Sequence, residues 1–455
     1  MPPSLLLAAL LAFPLGCAEV RSPAAPVPPA GPDAPAVPFS TTADTPPDAE
    51  TTRAGGPTSS ARIESGSQQP RRATNQAAAK PAQVMITLRP APPAIWAGIT
   101  LEIERTYRMR ALVSWSLQSL GERCIVFEPP PDRPVEMLLR RLASDPRVEL
   151  VQLVQRFDTL GARSDDASIP LQHSARVLHL EQAHRWSTGK GVRLAIVDTG
   201  IDLGHPDLRG RIVKVHNFVD RGEKSFTSDI HGTAVAGVIA AAANVQLGLV
   251  GVAPQVEIFA LKACWQERAG AREAICDSYT LAKAIDFAIA QGAQILNFSL
   301  SGPSDPLLAK LLAAAMAHGI VVVAAVGPDA ARSFPATLPG VIQVAGSDDI
   351  QGGLRFPTRK VDSGTLAAPG VDILTTVPHG HYDFFSGASF AAAQVSGIAA
   401  LLLEREPHLS PAQLGALFHK TARPIPIAAG DPTPSVDQVD ACAALAASLG
   451  RQACS

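Results

Sequence analysis

Between about residues 170 and 425 the sequence predicts an α/β domain on a doubly wound, mostly parallel sheet. Three observations predict it. Short apolar runs at Gly191–Asp198, Val256–Leu261, Gln294–Phe298, Ile320–Val326 and Val341–Ala345 read as buried strands. Helical patterns alternate with them at Ala234–Ala243, Tyr279–Gln291, Leu307–His318 and Phe390–Glu404, and such alternation is how parallel strands are connected. The first run, GVRLAIVD, ends on an acid, at the carboxyl end of a strand, where such folds gather their reacting groups.

The segments before this domain have other characters. Leu5–Leu15 is apolar but too short to span a bilayer, and Gly16 and Cys17 follow it. Residues 1–17 therefore read as an export segment, either an ordinary cleaved signal or one whose Cys17 carries a lipid anchor. The absence of Lys or Arg ahead of the run, and Pro14, depart from the lipidation pattern. An exported chain is expected in a bacterial periplasm, on the outer membrane as a lipoprotein, or secreted. Residues 18–80 are rich in Pro, Ala, Ser, Thr and Gly; such a stretch buries too little to offset its ordering entropy and reads as a disordered linker.

Residues 81–157 read as a small α+β module of the ferredoxin-like kind. Strands are expected at Gln83–Leu88, Ile99–Glu104, Cys124–Glu128 and Val148–Val154, and helices at Ala111–Leu120 and Val135–Ser144. Two helices on a small antiparallel sheet suffice for such a module, and it contains no catalytic constellation. A tail, 426–455, closes the chain.

Composition narrows the function. The 455 residues carry 39 basic and 41 acidic side chains, a formal charge of −2, so charge gives no reason to expect nucleic acid as a partner. Of six cysteines, Cys264 with Cys276 and Cys442 with Cys454 bracket short stretches without the CxxC spacing of a metal or redox site. In an exported chain they read as two local disulfides; if the chain is not exported, they are reduced and buried.

Three segments of the large domain carry chemistry: Asp198-Thr199-Gly200-Ile201-Asp202, followed by His205-Pro206-Asp207-Leu208; His231-Gly232-Thr233-Ala234; and Ser386-Gly387-Ala388-Ser389-Phe390 leading into a helix. Singly, each has an ordinary explanation as a cap or a turn. Together they supply a carboxylate to orient an imidazole, and an imidazole to take a proton from a hydroxyl. Gly232 and Gly387 would let a substrate backbone come close.

At these residues the sequence resembles the subtilisin-like serine peptidases, or subtilases, over roughly Gly189–Leu414. Gly251-Val252-Ala253-Pro254, Asn297-Phe298-Ser299-Leu300 and Ala367-Ala368-Pro369-Gly370 add to the match. The resemblance implies a subtilisin-like fold and a serine endopeptidase acting on peptides or proteins. It implies Asp198, His231 and Ser389 as the catalytic residues, working through an acyl-enzyme at neutral to mildly alkaline pH, where the imidazole is unprotonated. Ser299, Leu300, Ser301, Ala325 and Gly327 would bind substrate, the first three as an added strand. The preceding module would be an inhibitory propeptide, removed by a cut between Gln155 and Gln172.

Three residues depart from the family pattern. Pro328 stands where subtilases place the Asn that donates to the oxyanion, with Asp329 next; Ala388 replaces a Thr and Ala393 a Pro. Losing one oxyanion donor typically costs ~10²–10³ in rate. An impaired relative serving as a peptide-binding or scaffold module is therefore the alternative. A generic dinucleotide-binding domain is excluded, because no GxGxxG follows the first strand. No cofactor or catalytic metal is expected. A structural Ca²⁺ would rely on Asp207 and the loop Asn244–Leu249, which offers few oxygen ligands. His173, His179, His184, His318, His408 and His419 lack ligand spacing, and His379 and His381 read as loop residues before the nucleophile.

Overall fold

The computed structural model describes residues 82–452, apart from 164–172, 220–225, 244–248, 269, 272, 328–331, 350–351, 357–363 and 429–430. The export segment with Cys17, the 18–80 linker, most of the loop at 244–249, Pro328, Asp329 and Cys454 lie outside the described residues. The described residues all fall within one compact unit, 76–455.

The small module runs β1 (Val84–Leu88), α1 (Pro93–Tyr107), β2 (Arg110–Leu117), β3 (Glu122–Glu128), α2 (Val135–Ala143) and β4 (Val148–Leu153). Its antiparallel sheet has the order β2-β3-β1-β4, a split βαβ arrangement. Two elements differ from the sequence expectation. Ile99–Glu104, which alternates like a strand, lies inside α1, where Trp96, Ile99, Ile103 and Tyr107 pack on one core at helical spacing. Ala111–Leu120, expected as a helix, supplies β2: Ala111, Val113, Trp115 and Leu117 face inward in alternation, and Leu112, which suggested the helical period, is exposed.

The chain continues through β5 (Arg156–Thr159) and β6 (Ala162–Arg163), then two single-turn helices, α3 (His173–Val177) and α4 (Leu180–His184). The large domain begins with β7 (Arg193–Asp198), β8 (Ile212–Asn217), α5 (Ile230–Ala240), β9 (Glu257–Lys262), β10 (Cys264–Trp265) and β11 (Ile275–Asp277). It goes on with α6 (Ser278–Ala290), β12 (Ile295–Phe298), β13 (Leu300–Ser301), α7 (Pro306–Ala317), β14 (Val321–Ala325), β15 (Ile342–Ser347) and β16 (Leu354–Phe356). It ends with β17 (Leu366–Pro369), β18 (Ile373–Val377), β19 (His381–Ser386), α8 (Ala388–Arg405), α9 (Pro411–Thr421), β20 (Arg423–Ala428), β21 (Asp431–Gln438) and α10 (Ala441–Ser448).

The main sheet has the order β20-β21-β17-β15-β14-β12-β7-β9-β8, with β16 paired to β15. Its central ladders are parallel. Side chains alternate between its two faces: Leu194 and Ile196 of β7 join the core under α5 and α8, while Ala195 and Val197 join the core under α6 and α7. Helix α8 is buried from Ala388 to Leu403, which suits an apolar run with no polar face. Local side-chain caps start several of the other helices. Asp277 and Thr280 form a capping box for α6, and Asp305 caps α7 ahead of Pro306.

Most of the expected tail is part of this domain. β21 pairs in parallel with β17, and Ala441, Cys442, Ala444 and Leu445 of α10 enter the core. Its apolar side chains are covered by α9, α4 and α8. Cys264 and Cys276 are joined by a disulfide, Cys124 is a buried free thiol, and Cys442 is disulfide-bonded. Among the described residues, no helix is long and apolar enough to cross a membrane.

Glu404, near the end of α8, holds the entry to β7. One carboxylate oxygen accepts the Ser187 hydroxyl at 2.7 Å and the backbone N–H groups of Thr188, Gly189 and Lys190 at 2.7, 2.6 and 3.0 Å. Burial alone would raise its pKa, but these donors outweigh it and hold the group below its ordinary value of 4.5. A depressed carboxylate pKa stabilises the fold above the unfolded value and loses that contribution as pH falls. Glu404→Gln is therefore expected to cost about 1–2 kcal/mol at pH 7, with the gap to wild type closing below pH 4.5, read from urea melts at both pH values.

Candidate active site

One strand end and two helix starts meet at the carboxyl edge of the parallel sheet. Asp198 is the last residue of β7, His231 is the second residue of α5, and Ser389 is the second residue of α8. All three are buried. The His231 Nδ1 lies 2.8 and 3.0 Å from the two Asp198 carboxylate oxygens, and Nε2 lies 3.1 Å from Ser389 Oγ. With a carboxylate on Nδ1, the ring proton sits there and Nε2 is free to accept. The Ser389 hydroxyl, with a single proton, donates either to Nε2 or to the Ser299 carbonyl at 2.8 Å.

The alignment of β7 with α5 is built by the residues around the motifs. Gly232 N–H donates to Thr199 Oγ1, Gly200 N–H to Asp229 Oδ2, and Asp202 N–H to Thr233 Oγ1. Gly232 is not a substrate contact, as the sequence suggested. A Cβ there would sit 2.6 Å from the Gly200 carbonyl oxygen and 2.7 Å from that of Thr199, so its job is to let the Asp198 turn touch the helix start.

A buried ion pair lies behind this turn. Lys262, opposite Asp198 in the β7–β9 ladder, reaches Asp229 Oδ2 at 2.6 Å, and the two side chains are 1 and 6 % exposed. Burial pushes the Asp229 carboxyl up, and Lys262 and the Gly200 N–H oppose that. Sequence reading missed both residues. A lone Lys ending an apolar strand was the available signal, since such a charge needs a buried partner.

The cleft in front of Ser389 contains the chain's own backbone. Strand β5 lies between β13 and β11: Thr159 pairs with Leu300 and Asp158 with Ser301 on one side, while Asp158, Phe157 and Arg156 pair with Ile275, Cys276 and Asp277 on the other. At Leu160 the chain reaches the nucleophile position. The Leu160 carbonyl accepts the Ser389 backbone N–H at 3.2 Å, and Leu160 N–H lies 3.3 Å from the Ser299 carbonyl and 3.1 Å from Ser389 Oγ. Gly387 makes this approach possible, because a Cβ there would lie 2.2 Å from the Leu160 oxygen. Past Leu160, β6 pairs with β19, Ala162 opposite Ser386.

Of the residues expected to bind substrate, Leu300 and Ser301 pair with β5, and Ser299 lies beneath Leu160 and donates from its hydroxyl to the Ser389 carbonyl. Ala325 ends β14 inside the core, and the Gly327 N–H donates to Ser333 Oγ. Strand β11, the second wall, was missed; a three-residue strand leaves no readable period. The module expected to precede the domain rests on α6 and α7. Asp286 accepts Gln118 N–H, Ser119 N–H and the Ser119 hydroxyl at 2.9, 2.8 and 2.5 Å, and Gln152 donates to Asp305 at 2.8 Å.

These elements belong together in one known arrangement. The subtilase family model matches residues 189–444, which contain β7, α5 and α8 with the three side chains that meet. The chain belongs to the subtilase family, a family of serine endopeptidases. It is 32 % identical over 277 residues to the thermophilic serine proteinase of Bacillus sp. (strain AK1), covering 59 % of this chain and 66 % of that protein. It is 35 % identical over 274 residues to fervidolysin of Fervidobacterium pennivorans (53 and 39 %) and 35 % identical over 236 residues to thermitase of Thermoactinomyces vulgaris (51 and 81 %). The chain thus spans less than two thirds of the length of the first two. The crystal structure of fervidolysin, described as a keratinolytic enzyme related to subtilisin, superposes with a TM-score of 0.64 at 24 % identity, covering 80 % of this chain and 60 % of that one. That likeness shows the shared fold.

Subtilases need no cofactor for catalysis. Asp207 Oδ2 accepts the Tyr382 hydroxyl at 2.7 Å, and among the described residues no group of three or more His, Cys, Asp or Glu side chains could hold a metal. Among the other histidines, His179 pairs with Asp440, His184 with the Val252 carbonyl, and His419 with Asp437.

Proposed function

We propose that this subtilase is a serine endopeptidase that first cuts its own chain between Leu160 and Gly161. The observation that carries the reading is the Leu160 carbonyl held on the Ser389 N–H, with the hydroxyl of the same serine in reach of His231. In this reading Ser389 Oγ attacks the Leu160 carbonyl carbon as His231 Nε2 takes its proton. Asp198 holds the imidazole and stabilises its charge. The Leu160–Gly161 C–N bond breaks as the imidazolium returns that proton to the Gly161 nitrogen, leaving Leu160 as an acyl ester of Ser389. Water, deprotonated by His231, releases the Leu160 carboxylate.

The module 81–157 then acts as an intramolecular inhibitor. Its C-terminal strand fills the substrate channel while Asp286, Asp305 and Lys310 hold its body on α6 and α7; Lys310 pairs with Glu122 and Glu149. After cleavage the vacated channel takes peptide or protein segments as extended strands, with an apolar residue in the Leu160 position. Export, with Cys17 as a cleaved-signal or lipidated terminus, places such an enzyme outside the cytoplasm, where the Cys264–Cys276 disulfide is stable.

A second reading keeps the strand-binding channel without the chemistry, and Pro328 favours it, since it removes the side-chain donor to the oxyanion. N-terminal sequencing of the purified chain separates the two. A new terminus at Gly161 supports the peptidase, while an intact chain with Ser389 unreactive to a phosphonyl fluoride supports the binding module.

A further inference from the structure

We propose that the Cys264–Cys276 disulfide is a specificity-determining element, which holds β11 as the outer wall of the channel and so selects substrates that extend several residues before the scissile bond. The proposal rests on the peptidase reading only in calling the occupant a substrate. The juxtaposition itself lies in the sheet β10-β11-β5-β13. In it the bound strand β5 is flanked by two short strands, and Leu300 of one and Cys276 of the other both reach the same core.

On one side, β13 follows β12 of the main sheet after a single residue, so its position is fixed by the domain core. On the other side, β11 has only three residues, and its partners are β5 and β10. When β5 leaves, β11 keeps two residue pairs with β10, Cys264 opposite Cys276 and Trp265 opposite Ile275. A hairpin of that length does not hold together by its own hydrogen bonds. The sulfur bridge joins the very pair that β10 and β11 share, and β10 lies one residue beyond Lys262 at the end of β9. The disulfide thereby ties the wall to the central sheet. Asp277, the N-cap of α6, holds its other end.

Cys276 also sits opposite Phe157. Phe157 is buried, its ring centroid 6.1 Å from that of Phe334 and its edge against Gly302. The bridged pair therefore fixes the register at which a side chain three residues before Leu160 enters its pocket. The backbone partners of Leu160 are Ser299 and Ser389, whereas β11 pairs with residues 156–158, so a substrate occupying only the Leu160 position makes no ladder with β11. Loosening β11 should thus weaken extended substrates and spare short ones.

Two measurements on the full chain test this with Cys264→Ser/Cys276→Ser. In a Ser389→Ala background, which keeps β5 in place, amide exchange at 155–160 and 275–277 is expected to speed up at least tenfold, with β12 and β14 unchanged. In the processed enzyme, KM for a peptide with four residues before the scissile bond is expected to rise about tenfold. Both kcat for that peptide and kcat/KM for an ester occupying only the Leu160 position should stay within twofold. Unchanged exchange at 155–160, or faster exchange throughout the core, overturns the proposal, as does an equal loss on both substrates. The exchange arm needs no catalysis. A wild type that turns over neither substrate would therefore defeat the peptidase reading while the exchange result still decides the role of the bridge.

Discussion

In a Ser389→Ala chain the cut between Leu160 and Gly161 is expected not to occur, and any peptide turnover to fall by about 10⁶. The size follows from how the three side chains share one proton path. Removing Oγ takes away the nucleophile, and His231, 3.1 Å from it, then has nothing to deprotonate but water. The fold should survive. Ser389 lies in a helix buried on all sides, and Ala388, Ala391, Ala392 and Ala393 around it show that a methyl group suits the site. One hydroxyl is lost, along with its donation to the Ser299 carbonyl at 2.8 Å. The Ser299 carbonyl keeps Leu160 N–H as a partner. A gel of wild type beside the variant, with mass spectrometry of the fragments, reads the result. Cleavage of the variant at the same bond would assign the cut to another protease.

The second large effect is on stability. Lys262→Met removes the cation that faces Asp229 in the interior and leaves a carboxylate with Gly200 N–H as its remaining described donor. Breaking a buried pair from one side typically costs about 3–5 kcal/mol, much more than replacing both partners. The chain should therefore melt well below wild type, and Lys262→Met/Asp229→Asn should recover part of the loss. Because Asp229 holds the Gly200 N–H just after Asp198, and directly precedes the helix that carries His231, kcat should fall in the single variant by more than the unfolded fraction explains. Equal melting temperatures of Lys262→Met and wild type, measured by calorimetry at pH 7, would show that the pair contributes nothing.

Reading the chain without its structure worked where burial is two-sided and local. Strands such as Leu194–Val197 are apolar on both faces because both faces are covered, so continuous runs marked them. It failed in the small module, where a helix and a strand were exchanged. In α1 the alternation of Ile99, Leu101 and Ile103 imitates a strand, but Leu101 is more than half exposed, and only the helical set is covered. Leu112 misled in the opposite sense. A single exposed apolar residue is enough to shift a short period.

The candidate site divides in the same way. Asp198, His231 and Ser389 were legible because each lies in a local motif whose glycines and small residues answer to immediate neighbours. Asp229, Lys262 and the β11 wall were not, because their partners come from distant parts of the chain. What the sequence alone determined is the family, the alternation that builds the parallel sheet, and the three local motifs that hold Asp198, His231 and Ser389. Only the tertiary structure decided that Leu160 lies against Ser389, that Asp286 clasps the Ser119 turn, and that the closing residues 431–448 complete the sheet and core. Each of these pairs segments from separate stretches of the chain. Such contacts depend on which surfaces remain uncovered once the local elements have formed, and local periodicity carries no record of that.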